Sequence, residues 1–452
     1  MIRHALLIMA TLLGGCASAP HEEAATRAKI ADSSLPPMKA FGLAQPRAPI
    51  QSNANIAADF LALHFQLESG RDLPVFTRFE MPITVKVTGK PSASLTADLR
   101  LLLNRLRDEA GINIQQISQG DANITIQSVS RANIRRALPE AACFVVPNVS
   151  SLAEFSRDRR KPKTNWSRLK TRTRLGIFIP NDTSPQEVRD CLHEELAQAI
   201  GPLNDLYHLS DSVFNDDNVY SVLTGFDMLI LRATYAPELQ SGMTHNQVKA
   251  KLPALLSRLN PAGVTVPSRQ ITATPRNWIE NVQTAFGPGA TATARRTAAN
   301  NTVRIAAEQG WQGHRRAFSH YLLGRMTQVY DPQLAQQHYT TALHYLDQTP
   351  GTQLHRAHIL TQTATYAIAI GDGASALRQI DPALIAAQRA ENASLLATLM
   401  LLQAEAYELT GQSDKARAVR LDSLGWARYG FGSDWAVRAK MQEIAALNPQ
   451  GI

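Results

Sequence analysis

A chain of 452 residues has room for two or three domains with sizeable cores. Its 44% hydrophobic and 19% charged residues are ordinary for a globular protein, and beyond the first residues no apolar run could enter a membrane. The formal charge of +8 has one local source: residues 156–174, SRDRRKPKTNWSRLKTRTR, hold nine Lys/Arg and a single Asp. That stretch could meet an anionic surface such as lipid headgroups or cell-wall polymer, and its plainer reading is a solvated loop between two strands.

The chain opens MIRHALLIMATLLGGCASAP: basic residues, an apolar run from Ala5 to Leu13, then small residues. The run is too short to span a bilayer and reads as a secretory signal over 1–16. Leu13-Gly14-Gly15-Cys16 resembles a bacterial lipobox, which implies lipidation of Cys16 and a membrane anchor facing the periplasm. Ala17, where some lipoproteins carry aspartate, favours the outer membrane. An exported lipoprotein has little access to nucleic acid, so no nucleic-acid partner is expected. Residues 17–54 are rich in Ala, Pro and small polar residues and read as a flexible tether. Export favours pairing of the two remaining cysteines, Cys143 and Cys191, in a disulfide; two separate buried thiols are the alternative.

Residues 55–245 mix helices and strands. NIAADFLALHFQLES has apolar residues at helical spacing, LPVFTRFEMPITVKVTG alternates as a strand does, and SLTADLRLLLNRLRDEAG carries a Leu99, Leu102, Leu103, Leu106 stripe. Short strands follow in INIQQI, ANITIQSV, ACFVVPNV and RLGIFIP. Ser184-Pro185-Gln186-Glu187 is a capping box that starts a helix, Val188, Cys191, Leu192, Leu196 and Ile200 supply its buried side, and Gly201-Pro202 ends it. Glu194 and Gln198, four apart, share a face, and Glu195 stands a hundred degrees round. Gly201 lets the chain turn so that Asn204 or Asp205 returns toward that face.

CLHEELAQAIGPLND resembles the zinc-binding helix of metzincin peptidases, H-E-x-x-H-x-x-G-x-x-H, with Glu194, Gln198 and Asn204 where the histidines stand. The resemblance implies Glu195 as candidate general base and Glu194, Gln198, Asn204 and Asp205 as candidate metal ligands. Leu223-Thr224, Asp227 and Tyr235 resemble the pattern that follows the metal site in many zinc endopeptidases. With Ser212-Val213-Phe214-Asn215-Asp216, these motifs place 60–243 close to the bacterial exported family called domain of unknown function 2927. That implies a zincin-like α+β fold with Gly201, Asn215, Asp216, Asp227 and Tyr235 supporting the site. Oxygen donors suit calcium, magnesium or manganese better than zinc, so the cofactor is unknown, no tightly held zinc is expected, and a weakly bound divalent cation is allowed. A hydrogen-bond network closing a loop onto a helix is the alternative use of the same residues.

Residues 246–300 read as a helical connection and flexible joint. From 301 to 452 the pattern is all helix, with landmarks about forty residues apart: Gly371 and Gly411, Ala376 and Ala416, Tyr366 and Tyr407, with Ala335 forty-one before Ala376. These resemble tetratricopeptide-type repeats, against the alternative of a non-repetitive bundle. Three functions remain open: a diverged zincin-like binding module for an envelope protein or peptide with the repeats as a second docking surface, an active metallohydrolase using Glu195, or a pure repeat scaffold.

Overall fold

The computed structural model of the chain describes residues 35–42 and 47–450. Cys16 and the expected signal sequence lie outside them. Among the described residues no helix is long and apolar enough to cross a membrane.

The N-terminal part is α/β. In chain order it contains α1 (Asn53–Phe65), β1 (Ile83–Gly89), α2 (Ala93–Asp108), β2 (Ile114–Gln116), β3 (Ile124–Val129), α3 (Arg131–Ala137), β4 (Phe144–Pro147), α4 (Leu152–Asp158), β5 (Leu175–Pro180), α5 (Pro185–Ile200), α6 (Gly225–Thr234) and α7 (His245–Leu259). The five strands form one mixed sheet in the order β2-β1-β3-β5-β4, parallel except for β4 against β5. Every residue of β5, LGIFIP, is buried, as a strand covered on both faces requires. Its alternation divides the core: Ile177 and Ile179 face α2 and α5, whereas Phe178 packs with Ile134, Phe144 and Phe155 under α3 and α4.

All four short strands anticipated after α2 form. The expected strand over 73–89 is shorter than its alternation suggested, beginning only at Ile83, and the short helices α3 and α4 carry too few turns to show a period.

The C-terminal part is entirely helical: α8 (Arg276–Phe286), α9 (Ala292–Glu308), α10 (His314–Thr327), α11 (Pro332–Asp347), α12 (Gln353–Ala369), α13 (Gly373–Arg389), α14 (Ala393–Leu409), α15 (Ser413–Phe431) and α16 (Asp434–Ala445). α10/α11, α12/α13 and α14/α15 are successive hairpins. Ala335, Ala376 and Ala416 are buried near the start of each second helix, where a larger side chain would push the pair apart. Gly371 and Gly411 turn the chain at φ +81° and +72°, a conformation that glycine adopts without penalty. The helical part begins earlier than residue 301. Trp278 and Val282 of α8 share a core with Ile305 of α9 and Phe318 of α10, whereas α7 packs on α1.

Residues 35–42 depart from a free tether. Lys39 donates its backbone N–H to Gly425 O at 3.0 Å and pairs with Asp422 at 2.5 Å, while Phe41 stacks on Trp426 with ring centroids 4.6 Å apart. Composition favours disorder here, but two aromatic rings and a backbone hydrogen bond outweigh it.

Candidate functional site

The site is built on α5, and four constraints hold that helix. Leu192 and Leu196 are wholly buried against the sheet, each contributing roughly 2 kcal/mol. Cys143, just before β4, is disulfide-bonded to Cys191 with Cα atoms 5.9 Å apart. At the helix start Ser184 accepts from Glu187 N at 3.2 Å. The expected return bond from the Glu187 carboxylate is replaced: it accepts instead from Thr183 Oγ1 and Arg131 Nη2. At the helix end Arg172 donates from Nη1 to Gln198 O (2.6 Å) and Ala199 O (2.8 Å), and from Nη2 to Gly201 O. A guanidinium thus satisfies three carbonyls that a helix terminus leaves over, and its charge opposes the helix dipole.

Arg172 belongs to the basic stretch, which is used largely within the fold. Asp158 pairs with Lys161 (2.6 Å), Lys163 (2.7 Å) and Arg157 (3.3 Å), and Glu154 pairs with Lys163 and Arg174. The N-terminal half of α5 meets the helical part. Gln186 donates to Asn392 Oδ1 at 3.0 Å and accepts from Ser394 N at 2.8 Å, and Arg189 forms a buried ion pair with Glu391.

The Glu194–Gln198 turn of α5, half-buried at Glu194 and buried at the other positions, borders a cleft lined by carboxyl groups. Glu194, Glu195 and Gln198 come from α5, Asp205 and Asp216 from the loop after it, and Glu68 from the turn after α1. Glu68 lies near the Gln198 amide and the Asp205 carboxyl, both of which favour its charged form. Tyr207 donates its hydroxyl to Asp216 Oδ2 at 2.8 Å, and Gln283 of α8 stands near the same carboxylate, so the helical part borders the site.

Glu68 and Asp216 reach solvent at the rim, yet the surrounding protein desolvates both and raises their pKa values; the charge of Asp216 raises Glu68 further. Burial, then the charges of Glu68, Asp216 and Asp190, pushes Glu194 up to about 8. Glu195 is 5% exposed, and burial together with Glu194 and Glu68 raises it well above the carboxylate range. Asp205 is raised in the same way by burial, Glu68 and Glu194. Glu195 Oε2 and Asp205 Oδ1 are buried without a hydrogen-bond donor.

The remaining motif residues hold loops. Asn204 does not join the carboxyls: its amide donates to Ala62 O at 3.0 Å and ties the loop to α1. Asn215 donates to Leu209 O (2.5 Å) and to Asp217 Oδ2 (2.9 Å), shaping the turn that presents Asp216. Asp227 is fully buried and accepts from Ser212 Oγ (2.5 Å), Thr224 N (2.7 Å) and Val213 N (3.2 Å). It also closes a capping box with Thr224 at the start of α6. Tyr235 donates to Ile200 O at 2.9 Å. A Cβ at Gly201 would lie 2.8 Å from Leu231 Cδ2 of α6, so the end of that buried side chain would have to shift.

The donors do not fit zinc. Asn204 is engaged through its amide with the Ala62 carbonyl, and among the described residues no thiolate or imidazole joins Glu194 and Gln198. Among the described residues no three His, Cys, Asp or Glu stand where one metal ion could be held. Sequence reasoning missed Glu68, Tyr207 and Gln283. Glu68 sits in an ordinary polar turn, closed by Leu67 N to Arg71 O at 2.9 Å, and Gln283 lies 85 residues from Gln198, so neither carries a local signal.

Comparison with curated proteins and with solved structures finds no match to this chain. Its α/β part does match: residues 53–254 fit the family model described as "Protein of unknown function (DUF2927)", which supports the family that the two motifs point to.

Proposed function

We propose that this protein is a lipid-anchored component of the bacterial cell envelope whose α/β domain is a diverged, zincin-like module that binds an envelope protein or peptide. The observation that carries the reading is the use made of the three positions where metzincins keep histidine. Asn204 ties its loop to α1, Gln198 is buried near Glu68, and Glu194 stands among other carboxyls. Such a site is a preorganised surface rather than a water-activating metal centre. The helical part is a second docking surface that also walls the cleft through Gln283. The leader with Cys16 and the disulfide both suit an exported chain.

A photo-cross-linking amino acid placed at Asp216 in living cells tests the binding reading. A discrete adduct, absent when the cross-linker replaces the remote Glu308, is expected. Fractionation with membranes, abolished by Cys16→Ala, tests the anchor. The second reading, hydrolysis with Glu195 as proton donor or acceptor, draws on its buried, unpartnered Oε2. Burial and the charge of Glu194 raise its pKa, which suits the acid role better than the base. Peptidase activity lost in Glu195→Gln, without an adduct at Asp216, would replace the binding reading by this one.

A further inference from the structure

The helical part holds a pair of histidines that the α5 site does not use. His320 stands on α10 and His338 on α11, the two arms of one hairpin. Small residues let those helices close: a Cβ on Gly324, one turn beyond His320, would lie 2.5 Å from Tyr339 Cε1. Ala317, Ala335 and Ala342 are buried in the same seam. That approach leaves the two Nδ1 atoms 3.3 Å apart, with both side chains half-buried and reaching solvent. The His320 ring lies nearly parallel to Tyr345, with 20° between the planes and 5.9 Å between centroids, which limits its rotation.

Two Nδ1 atoms that face each other need something between them. If each imidazole carries its proton on Nε2, two lone pairs oppose. If one carries it on Nδ1 a hydrogen bond forms, but the spacing exceeds the range of about 2.7–3.2 Å usual for an N–H donor. A tetrahedral zinc ion with bonds of about 2.0–2.1 Å sets its donor nitrogens about 3.3–3.4 Å apart. Square-planar copper at a similar bond length would draw adjacent nitrogens to about 2.8 Å. The observed spacing is that of zinc. Both rings also stand in the ligand form at neutral pH: burial, then His338 and Arg316, lowers His320 to about 4, and burial lowers His338. Arg316, whose charge opposes a cation here, is engaged elsewhere: it lies over the Tyr345 ring at 4.8 Å and donates to Trp311 O at 3.3 Å.

We propose that His320 and His338 form a zinc site that clips α10 to α11, with the two Nδ1 atoms as ligands and water in the remaining positions. Two protein ligands agree with there being, among the described residues, no group of three His, Cys, Asp or Glu around one ion. The site shares no residue with the α5 carboxyls and stands or falls independently of the binding reading.

Titration of the full chain, purified without a histidine tag, with Zn2+ by calorimetry and with Co2+ by visible absorption tests this. Zn2+ should bind saturably, and Co2+ in its place should give the intense visible bands of a tetrahedral ion rather than the faint ones of an octahedral ion. His320→Gln and His338→Gln, which keep a polar side chain of similar size, should each weaken zinc binding by about tenfold or more. His245→Ala, on α7, should leave it unchanged. Zinc should raise the melting temperature of the wild type and not that of the doubly substituted protein. Zinc affinity in the two Gln variants equal to that of the wild type would overturn the proposal, as would the absence of saturable binding. Should either variant fail to fold, the Co2+ spectrum of the unaltered protein decides alone: an octahedral spectrum overturns the site.

Discussion

Glu194 shows what a single residue can reveal and what it needs from its neighbours. The i, i+4 spacing with Gln198 put both on one helix face, and the structure turns that face to Glu68, Asp205 and Asp216. Folding raises the Glu194 pKa from the ordinary glutamate range to about 8, so the folded protein keeps this proton longer than the unfolded chain does. Stability from that proton is full at low pH and is lost as pH rises through about 8. Burial lowers the pKa of His64 and His314, and these act in the opposite direction only below their ordinary value near 6.5. Between pH 6.5 and 8.5 the carboxyls therefore dominate. The melting temperature should fall across that window by on the order of 5 °C, and Glu194→Gln should flatten the fall. Differential scanning calorimetry in low salt checks both; a melting temperature that rises across the window would contradict the assignment.

At the scale of elements, α5 is fixed at both ends and in the middle by groups distant in sequence. Its start was legible, because Ser184 and Pro185 are local signals read by the first helical turn. Its end was not. Gly201-Pro202 marked a stop, but the three carbonyls there are satisfied by Arg172, which looked like one of nine cations on a solvated loop. Arg172→Met keeps much of the buried volume and leaves those carbonyls without donors, so it should destabilise the fold by about 3–5 kcal/mol. Arg172→Lys should recover only part, because an ammonium lacks the planar fork. Urea unfolding midpoints compare the two, and equal midpoints for Met and wild type would refute the capping role. The disulfide adds to the same element: closing a 48-residue separation should be worth about 4 kcal/mol, read as the loss of stability on reduction.

At the scale of the molecule, the loop between α5 and α6 joins the two parts. Tyr207 stacks edge-on to Trp278 at 5.1 Å, its carbonyl accepts from His314 Nε2 at 2.8 Å, and Asp217 bonds His355 Nε2 at 2.9 Å. Asp205 and Asp216 ride on this loop, so the helical part positions carboxyls of the cleft. His355→Ala should speed amide exchange over residues 205–220 by about tenfold while sparing β3 and β5, as hydrogen–deuterium exchange would show. Uniform protection in the variant would mean that the loop holds its shape alone.

Local signals determined much of this chain. Alternation and 3.6-residue spacing located most strands and long helices, and recurring alanines and glycines located the hairpins, because these patterns act between neighbours in sequence. Cys143 and Cys191, with the export expected from the first residues, were enough to expect the disulfide. The tertiary structure decided the rest. It brought Glu68 and Gln283, 215 residues apart, to one cleft, buried Arg172 under a helix end, and drew residues 35–42 onto α15. It also separated Asn204 from Asp205, adjacent in sequence, into a loop tie and a cleft wall. The physical reason is the same in each case: a side chain's hydrogen-bond partner and solvation are set by whatever the fold packs beside it, and neither is encoded in its sequence neighbours.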